Sequence, residues 1–116
     1  MKIKVSDATT IQLDWLVTGL ESVKTYGVKD WLEQRPYFKG YRWSGDWSQV
    51  GYLIERVGMG VWMYQWNADG EPEAGWYAED KDGNHVHKGP TPLIAAVRCY
   101  VASRLGDEVE IPKELI

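Results

Sequence analysis

The chain has 116 residues, of which 44% are hydrophobic and 26% charged, and its net charge at pH 7 is −4. This length suits one domain, residues 1–116, and no apolar run approaches the roughly 20 residues of a membrane span or resembles a signal peptide at the N-terminus. Residues 61–116 carry five Lys/Arg against ten Asp/Glu, whereas proteins that bind duplex nucleic acid have a basic excess, so we expect no such partner.

The first predicted elements are a strand and a helix. Lysine alternates with apolar residues over Lys2–Val5, which is the period of a half-buried strand. Thr9 and Gln12 then form a capping box, with Thr9 as N-cap, and the helix that follows runs to about Leu20. Its apolar stripe consists of Leu13, Leu16, Val17 and Leu20. Ile11 and Trp15 lie on the other side, so a neighbouring segment or a partner must cover them.

Residues 35–43 interleave three basic residues with four aromatic ones, in a stretch without periodicity. Rings beside cationic groups suit a nucleobase with its phosphate, or an acidic protein surface. The alternative is a surface loop that its aromatic rings anchor to the domain.

A second capping box, Asp46 with Gln49, predicts another helix. Val50, Ile54 and Val57 follow at helical spacing. Residues 52–66 also fit a hairpin around the glycines at 58 and 60. We favour a short helix that ends near Val57, followed by a strand from residue 60 or 61.

The middle of the chain predicts three strands. Val61–Trp66 is rich in aromatic residues, and Asn67–Gly75 has the acidic, Gly/Pro-containing composition of a loop. Trp76–Asp80 and His85–Lys88 are two further strands, joined around the turn dipeptide at residues 82 and 83.

The last helix has the clearest signals, with Thr91 as N-cap, Pro92 at its first position and Gly106 as its stop. One side is apolar and the other consists of small residues, so we expect its own sheet on one side and another helix or subunit on the other. Cys99 lies inside this helix as a buried structural thiol. An acidic tail, Asp107–Ile116, follows. Together the elements predict an α+β fold with three helices on a three- or four-stranded, mainly antiparallel sheet.

Catalytic and metal chemistry is not indicated. His85 and His87 share a strand face, but the sequence shows no third ligand near them, so we expect no metal. A calcium loop beginning at Asp80 fails because Thr91 stands where a bidentate Glu is required. No nucleophile–base motif and no phosphate-binding glycine loop is present, so we expect neither an enzyme nor a cofactor.

Ligand binding is better supported, because the chain has seven tryptophans and seven tyrosines but one phenylalanine. Indole and phenol rings are typical of interfaces and ligand sites. The amino end of the last helix at Thr91 offers N–H groups to an anion. The remaining candidates are Trp43, Trp47, Trp62 and Trp66 for stacking and Arg42, Arg56 and Arg98 for charge pairing. The alternatives are core packing for the rings and intrachain salt bridges for the arginines.

Three blocks of the sequence resemble one family. They are residues 89–112, residues 11–17, and residues 46–49 together with 54–56. They are similar to the NinX family of lambdoid phages, a phage ABA-sandwich domain of unknown function, although Val50 and Tyr52 depart from the family pattern. The resemblance implies a phage or prophage protein made in the host cytoplasm, with helices on both faces of an antiparallel sheet, and it implies no activity.

The sequence therefore favours a non-enzymatic phage accessory protein. Our first hypothesis is that it binds a small anionic aromatic, nucleotide-like host molecule, in a homo-oligomer. The second is a protein-interaction module that inhibits or redirects a host enzyme. The third is single-stranded nucleic-acid binding through residues 35–47, which the acidic balance opposes.

Overall fold

The computed structural model describes the backbone of residues 1–26, 43–68 and 71–116 and, within these ranges, the side chains of all but residues 22–26, 64–68, 71–74 and 114. Among the described helices, none combines the length and apolarity that a bilayer span requires.

A short 3-10 helix, Val5–Asp7, precedes the first α-helix of the described ranges, α1 (Thr10–Tyr26), which begins as predicted and ends later. The backbone N–H of Thr9 donates to Oε1 of Gln12 at 2.9 Å, and the N–H of Gln12 donates to Oγ1 of Thr9 at 3.3 Å. The capping box is therefore confirmed. The predicted end near Leu20 is wrong by six residues, because no glycine or proline stops the chain between Leu20 and Tyr26.

The second helix, α2 (Trp47–Val57), confirms the helical alternative over the hairpin for this segment. The Asp46 side chain accepts the N–H of Ser48 at 2.9 Å. At the other end Gly58 has φ 73°, a left-handed conformation that glycine adopts without a steric penalty. The Gly58 N–H donates to the carbonyls of Ile54 and Glu55, which closes the helix.

All strand pairs among the described residues are antiparallel. They form one sheet of β2 (Gly60–Ala68), β3 (Glu71–Glu79) and β4 (Val86–Gly89), and another of β1 (Lys2–Lys4) and β5 (Glu108–Glu110). This confirms the predicted α+β class and antiparallel pairing.

The predicted loop over residues 67–75 is wrong, because most of that segment belongs to β2 and β3. Asn67 pairs with Pro72, and Ala68 with Glu71. Proline cannot donate to a strand ladder and is tolerated at strand edges. Since β4 pairs with β3 over Trp76–Glu79 alone, Pro72 has a described neighbour strand on one side only, which is why the strand accommodates it.

The third helix, α3 (Pro92–Leu105), is the centre of the domain. One side packs on β3 and β4, and α1 and α2 pack on α3 as a further layer. Its small residues Ala95, Ala96, Cys99 and Ala102 are at most 1% exposed. The prediction that this helix is covered on both sides is thus confirmed, and both covers belong to the same chain. The approach to the sheet is close, since a Cβ on Gly89 would lie 2.6 Å from the backbone nitrogen of Ala95.

Candidate functional site

Arg56, a predicted ligand residue, forms an intrachain ion pair instead. Its guanidinium donates to both carboxylate oxygens of Glu21, at 2.7 and 3.1 Å, and to the hydroxyl of Tyr100 at 3.0 Å. The hydrogen bonds that Arg56 donates to Glu21 raise the pKa of Arg56 above its usual range. The salt-bridge alternative is therefore confirmed for this arginine.

Arg98 is held by backbone carbonyls. It donates to the carbonyl oxygen of Lys88 at 2.9 Å and to that of Ala8 at 3.2 Å, so it connects α3 to β4 and to the segment before α1. Burial lowers the pKa of its guanidinium. The sequence predicted a carboxylate or phosphate partner for Arg98. The structure supplies hydrogen bonds to two neutral carbonyls, while the Asp7 carboxylate acts on the guanidinium by its charge and the buried Nε has no hydrogen-bond partner among the described residues.

Trp43 anchors the segment before α2 to α1. Its indole Nε1 donates to the hydroxyl of Thr18 at 3.0 Å, and that hydroxyl donates to the carbonyl of Asp14 at 2.7 Å. The Asp14 carboxylate accepts the backbone N–H of Ser44 at 2.8 Å. The polar end of this indole is engaged inside the protein, so Trp43 has a structural role.

Thr91 is a helix cap rather than an open anion site. Its Oγ1 accepts the N–H of Ile94 at 3.1 Å, and its carbonyl accepts the N–H of Ala95 at 3.1 Å. Pro92 has no N–H to offer. Most donors that a helix amino end would present to an anion are thus already used or missing.

Two further candidates lie outside the described side chains. Arg42, with the rest of the aromatic and basic segment up to that residue, falls outside the described residues. The side chain of Trp66 is also outside them, although the strand register places position 66 on the same face of the sheet as position 62.

The two remaining predicted residues, Trp47 and Trp62, are exposed. Trp47 lies in the first turn of α2 with 56% of its surface accessible, and Trp62 on β2 with 41%. Large exposed indoles are uncommon in a small domain unless they contact something.

Trp62 lies in a cross-strand row with Tyr77 and Lys88, two residues that were not among the predicted ligand residues. The register pairs Trp62 with Tyr77 and Tyr77 with Lys88, so the three lie side by side across the sheet. The Trp62 and Tyr77 rings stack with centroids 5.7 Å apart and planes at 25°. The Lys88 ammonium lies 5.2 Å from the centroid of Tyr77. We call these three residues the sheet-face row.

The sheet-face row lies opposite the face that packs on α3. Ala78 follows Tyr77 along β3 and is fully buried on the side of α3. Because successive residues of a strand point to opposite faces, Tyr77 and its cross-strand partners lie on the face away from α3. The predicted turn at residues 82 and 83 already implied that Tyr77 and Lys88 are cross-strand partners. That pairing was the available signal for the two residues that were missed.

A second cluster joins His85 and His87 to Asp107, which follows α3. Nε2 of His87 lies 3.3 Å and Nδ1 of His85 lies 3.9 Å from Oδ1 of Asp107. One ligand atom from each of the three residues lies within 4.8 Å of the others. The prediction that no third ligand lies near the histidines is therefore wrong. Asp107 is distant in sequence, but the chain leaving the end of α3 places it next to both imidazoles. Burial lowers the pKa of His87 and so favours its neutral imidazole.

Two cavities are lined by described residues. One of about 380 Å³ adjoins the histidines and is bounded by Lys4, Ser6, Asn84, His85, Val86, His87, Asp107 and Glu108. The other, of about 410 Å³, is an apolar groove bounded by Trp15, Leu16, Gly19, Leu20, Leu105, Glu108, Val109 and Glu110. Neither of these two is lined by Trp62.

Comparison with known protein families gives one match. A sequence model described as Bacteriophage P22, NinX, matches residues 4–104. The chain belongs to the NinX family. No curated protein matches it significantly. The NinX description names a phage and no activity, ligand or partner.

The NinX match bears directly on the two clusters. It includes the whole sheet-face row and both histidines, while Asp107 lies three residues beyond its end. The resemblance predicted from three blocks of sequence is thus confirmed over most of the chain.

Proposed function

We propose that this NinX-family chain is a non-enzymatic phage accessory protein that acts in the host cytoplasm by binding a small anionic, nucleotide-like host molecule on the sheet-face row. The observation that carries the proposal is the stack of Trp62 on Tyr77 with the ammonium of Lys88 beside the same ring. A planar base can stack on an exposed ring such as that of Trp62 while a cation pairs with its phosphate.

Two of the three arginines that the sequence suggested for anion binding are engaged within the protein, and the third, Arg42, lies outside the described residues. Arg56 and Arg98 are engaged by Glu21 and by carbonyls. The positive charge for the ligand comes instead from Lys88, which is exposed. The proposed site therefore keeps the chemistry of the sequence-based hypothesis and moves it to the sheet.

The magnitude of these contacts limits the affinity of the sheet-face row alone. A base stacked on an aromatic side chain contributes about 1–3 kcal/mol, and an exposed ion pair up to about 1 kcal/mol. A total of about 4 kcal/mol corresponds to a dissociation constant of about 1 mM. Tighter binding needs further contacts, which we propose come from position 66 on the same face of the sheet or from a second copy of the chain.

A non-enzymatic role agrees with the reactive groups among the described residues. Cys99 is fully buried, and burial raises the pKa of its thiol to about 12. A thiol of this kind is neither accessible nor ionised at neutral pH.

Binding can be tested by calorimetric titration with ATP, GTP and a cyclic dinucleotide. We expect saturable binding of at least one of them, weakened about tenfold or more in Trp62→Ala and in Lys88→Gln. Trp47→Ala is the matched control, because it removes another exposed indole, from α2 and away from the sheet-face row. If no nucleotide binds, or if Trp62→Ala and Trp47→Ala behave alike, the proposal is wrong.

The second candidate function, docking on a host enzyme, is favoured by apolar exposure beyond the sheet-face row. Trp47, Tyr52 and Met63 are 56%, 60% and 62% exposed. Exposed aromatic and methionine side chains are enriched at protein interfaces. A photo-crosslinker at position 52 that captures one stoichiometric host protein, without capture from position 82, would favour this function over nucleotide binding.

Single-stranded nucleic acid remains the third candidate. The stacked rings of the sheet-face row favour this candidate, because bases of a single strand stack on aromatic side chains. The net charge of −4 opposes it, because the strand is a polyanion. Salt-dependent binding of a short oligodeoxythymidine, with no binding of mononucleotides, would favour this alternative.

We also propose that the chain forms a homo-oligomer through α1. The small face of α3 is covered within the chain, so it no longer supports this idea. Ile11 is 67% exposed, and Trp15 borders the apolar groove beside Leu105. Light scattering should show a dimer or larger assembly that Ile11→Lys shifts toward the monomer, and a wild-type monomer at high concentration would exclude it.

A further inference from the structure

The sequence and the chain reversals bring three metal-ligating side chains together. The His-x-His spacing puts His85 and His87 on one side of the chain entering β4, and Gly106 ends α3 just before Asp107. Gly106 has φ 91°, in the region that favours glycine, so the chain can leave the helix sharply. Asp107 is thereby returned to the two imidazoles.

The distances within the cluster fit a metal ion of the first transition series. Bonds of about 2.0–2.1 Å from zinc to nitrogen or oxygen put the ligand atoms of a tetrahedral site about 3.3 Å apart. Nε2 of His87 and Oδ1 of Asp107 are 3.3 Å apart, and Nδ1 of His85 and Oδ1 of Asp107 are 3.9 Å apart. All three ligand atoms lie within 4.8 Å of one another, so the side chains have to rotate to close the remaining distance to a bonded geometry.

The protein holds His85 in place by its backbone. Oδ1 of Asp80 accepts the N–H of His85 at 3.2 Å, and the carbonyl of His85 accepts the N–H of Asp80 at 3.1 Å. The thiol of Cys99 lies 3.5 Å from the same carbonyl. A ligand residue fixed in this way loses little conformational entropy when it binds an ion.

Burial and access also suit a bound cation. The side chains of His85 and His87 are 26% and 11% exposed, whereas that of Asp107 is 76% exposed. The imidazoles form the base of the site and the carboxylate its solvent side. The cavity of about 380 Å³ beside them has room for an ion and a water molecule.

The charge around the cluster is mixed. Glu108 lines the same cavity and adds a second carboxylate, while Lys4 lines it as a cation. Arg98 also acts on His87 electrostatically. One carboxylate and two imidazoles remain a sufficient donor set for a divalent ion.

We propose that His85, His87 and Asp107 bind one divalent transition-metal ion, with Zn²⁺ as the representative. The donor set of two imidazoles and one carboxylate selects Zn²⁺ and its neighbours in the series over Mg²⁺ and Ca²⁺, which prefer oxygen ligands. The fourth position faces the cavity and is open to water or to Glu108. The ion ties the β3–β4 hairpin to the connection between α3 and β5.

Zinc titration of a chain purified without a histidine tag tests the site. Competition with a chromophoric chelator should give one Zn²⁺ per chain, and Mg²⁺ should not compete. Asp107→Asn and His87→Gln should each weaken binding about tenfold or more. Asp107 is exposed, so Asp107→Asn is expected to fold normally even if His87→Gln does not. Asp82→Asn, an exposed carboxylate of the neighbouring turn, is the matched control and should bind as the wild type does.

Imidazole ¹⁵N spectra give an independent readout. On addition of Zn²⁺ the largest shifts should appear at Nδ1 of His85 and at Nε2 of His87, the atoms that face Asp107. The absence of 1:1 binding, equal binding by Asp107→Asn and wild type, or coordination through the opposite nitrogens would each overturn the proposal. This test does not depend on the sheet-face row, so its outcome is separate from that of the proposed function.

Discussion

The carboxylate of Glu21 and the guanidinium of Arg56 form a two-pronged ion pair between α1 and α2, and both side chains are about one fifth exposed. The hydroxyl of Tyr100 on α3 donates to the same carboxylate at 2.6 Å. One charged group thus bonds to both other helices of the described ranges. Because the three side chains bond to one another, they stabilise the helix layers and leave the terminal nitrogens of Arg56 engaged within the protein.

Removing one member of this ion pair should destabilise the fold more than removing one member of an exposed ion pair does. We expect Glu21→Gln and Arg56→Met each to lower the free energy of unfolding by about 2 kcal/mol, less than the 3–5 kcal/mol of a fully buried pair. Urea unfolding at pH 7 measures the change. Glu110→Gln is the control, because its pair with the N-terminal amine is exposed and should contribute less than about 1 kcal/mol. Equal effects in Glu21→Gln and Glu110→Gln would contradict this role.

Tyr100 should make the stability sensitive to alkaline pH. Burial, with the adjacent Glu21 carboxylate, raises the pKa of Tyr100 from 10.0 to about 12. A raised pKa in the folded state contributes stability that is complete below the unfolded value and is lost as the pH rises from about 10 to about 12. Two pKa units correspond to about 2–3 kcal/mol.

The measurement is urea unfolding between pH 9 and pH 12 for the wild type and Tyr100→Phe. The wild type should lose more stability over this interval than Tyr100→Phe, which has no hydroxyl to ionise. Parallel pH profiles would show that Tyr100 titrates normally in the folded protein.

Gly89 should tolerate no side chain, because β4 lies directly on α3. An added Cβ would approach the backbone nitrogen of Ala95 to 2.6 Å and its Cα to 3.0 Å. We expect Gly89→Ala to cost about 1–3 kcal/mol, as for other overpacked sites, or more because the contact is with backbone. Gly51→Ala in α2 is the opposite control, since its Cβ would meet nothing within 4 Å and should stabilise the helix by about 0.5–1 kcal/mol. Thermal unfolding distinguishes the two.

Trp43 should matter for stability and not for binding. Trp43→Phe keeps a ring but removes the indole donor to Thr18, and the loss of such a bond costs about 1–2 kcal/mol. Chemical unfolding should detect this cost, while nucleotide titration of the variant should match the wild type. Weaker binding with unchanged stability would return Trp43 to the ligand site.

The helix ends that carry a cap or a glycine stop could be predicted from sequence because these signals are local, whereas the end of α1, which was predicted near Leu20, was missed. Thr9 and Gln12, or Thr91 and Ile94, interact within three residues of each other, so the pattern contains both partners. Gly106 stops α3 where predicted for the same reason.

The sites could be predicted only in part, because they join distant segments. The sequence identified Trp62 as a candidate because indole rings are typical of binding sites. It did not identify which residues lie beside Trp62 on the neighbouring strands. His87 and Asp107 are 20 residues apart, and Arg56 and Glu21 are 35 apart. The sequence shows that a half-buried arginine or histidine needs a partner, but it does not show which of the many carboxylates lies next to it in the folded chain. The strand around Pro72 was missed because a long partner strand outweighed local loop propensity.

The most direct measurement of the proposed binding surface is an NMR titration that follows the indole N–H signals of all the tryptophans as a nucleotide is added. Ligand on the sheet-face row should shift the indole signal of Trp62 and the backbone amides of Tyr77 and Lys88, and leave the indole of Trp47 in place. Shifts centred on Trp47, or none at any of these positions at millimolar nucleotide, would contradict the account.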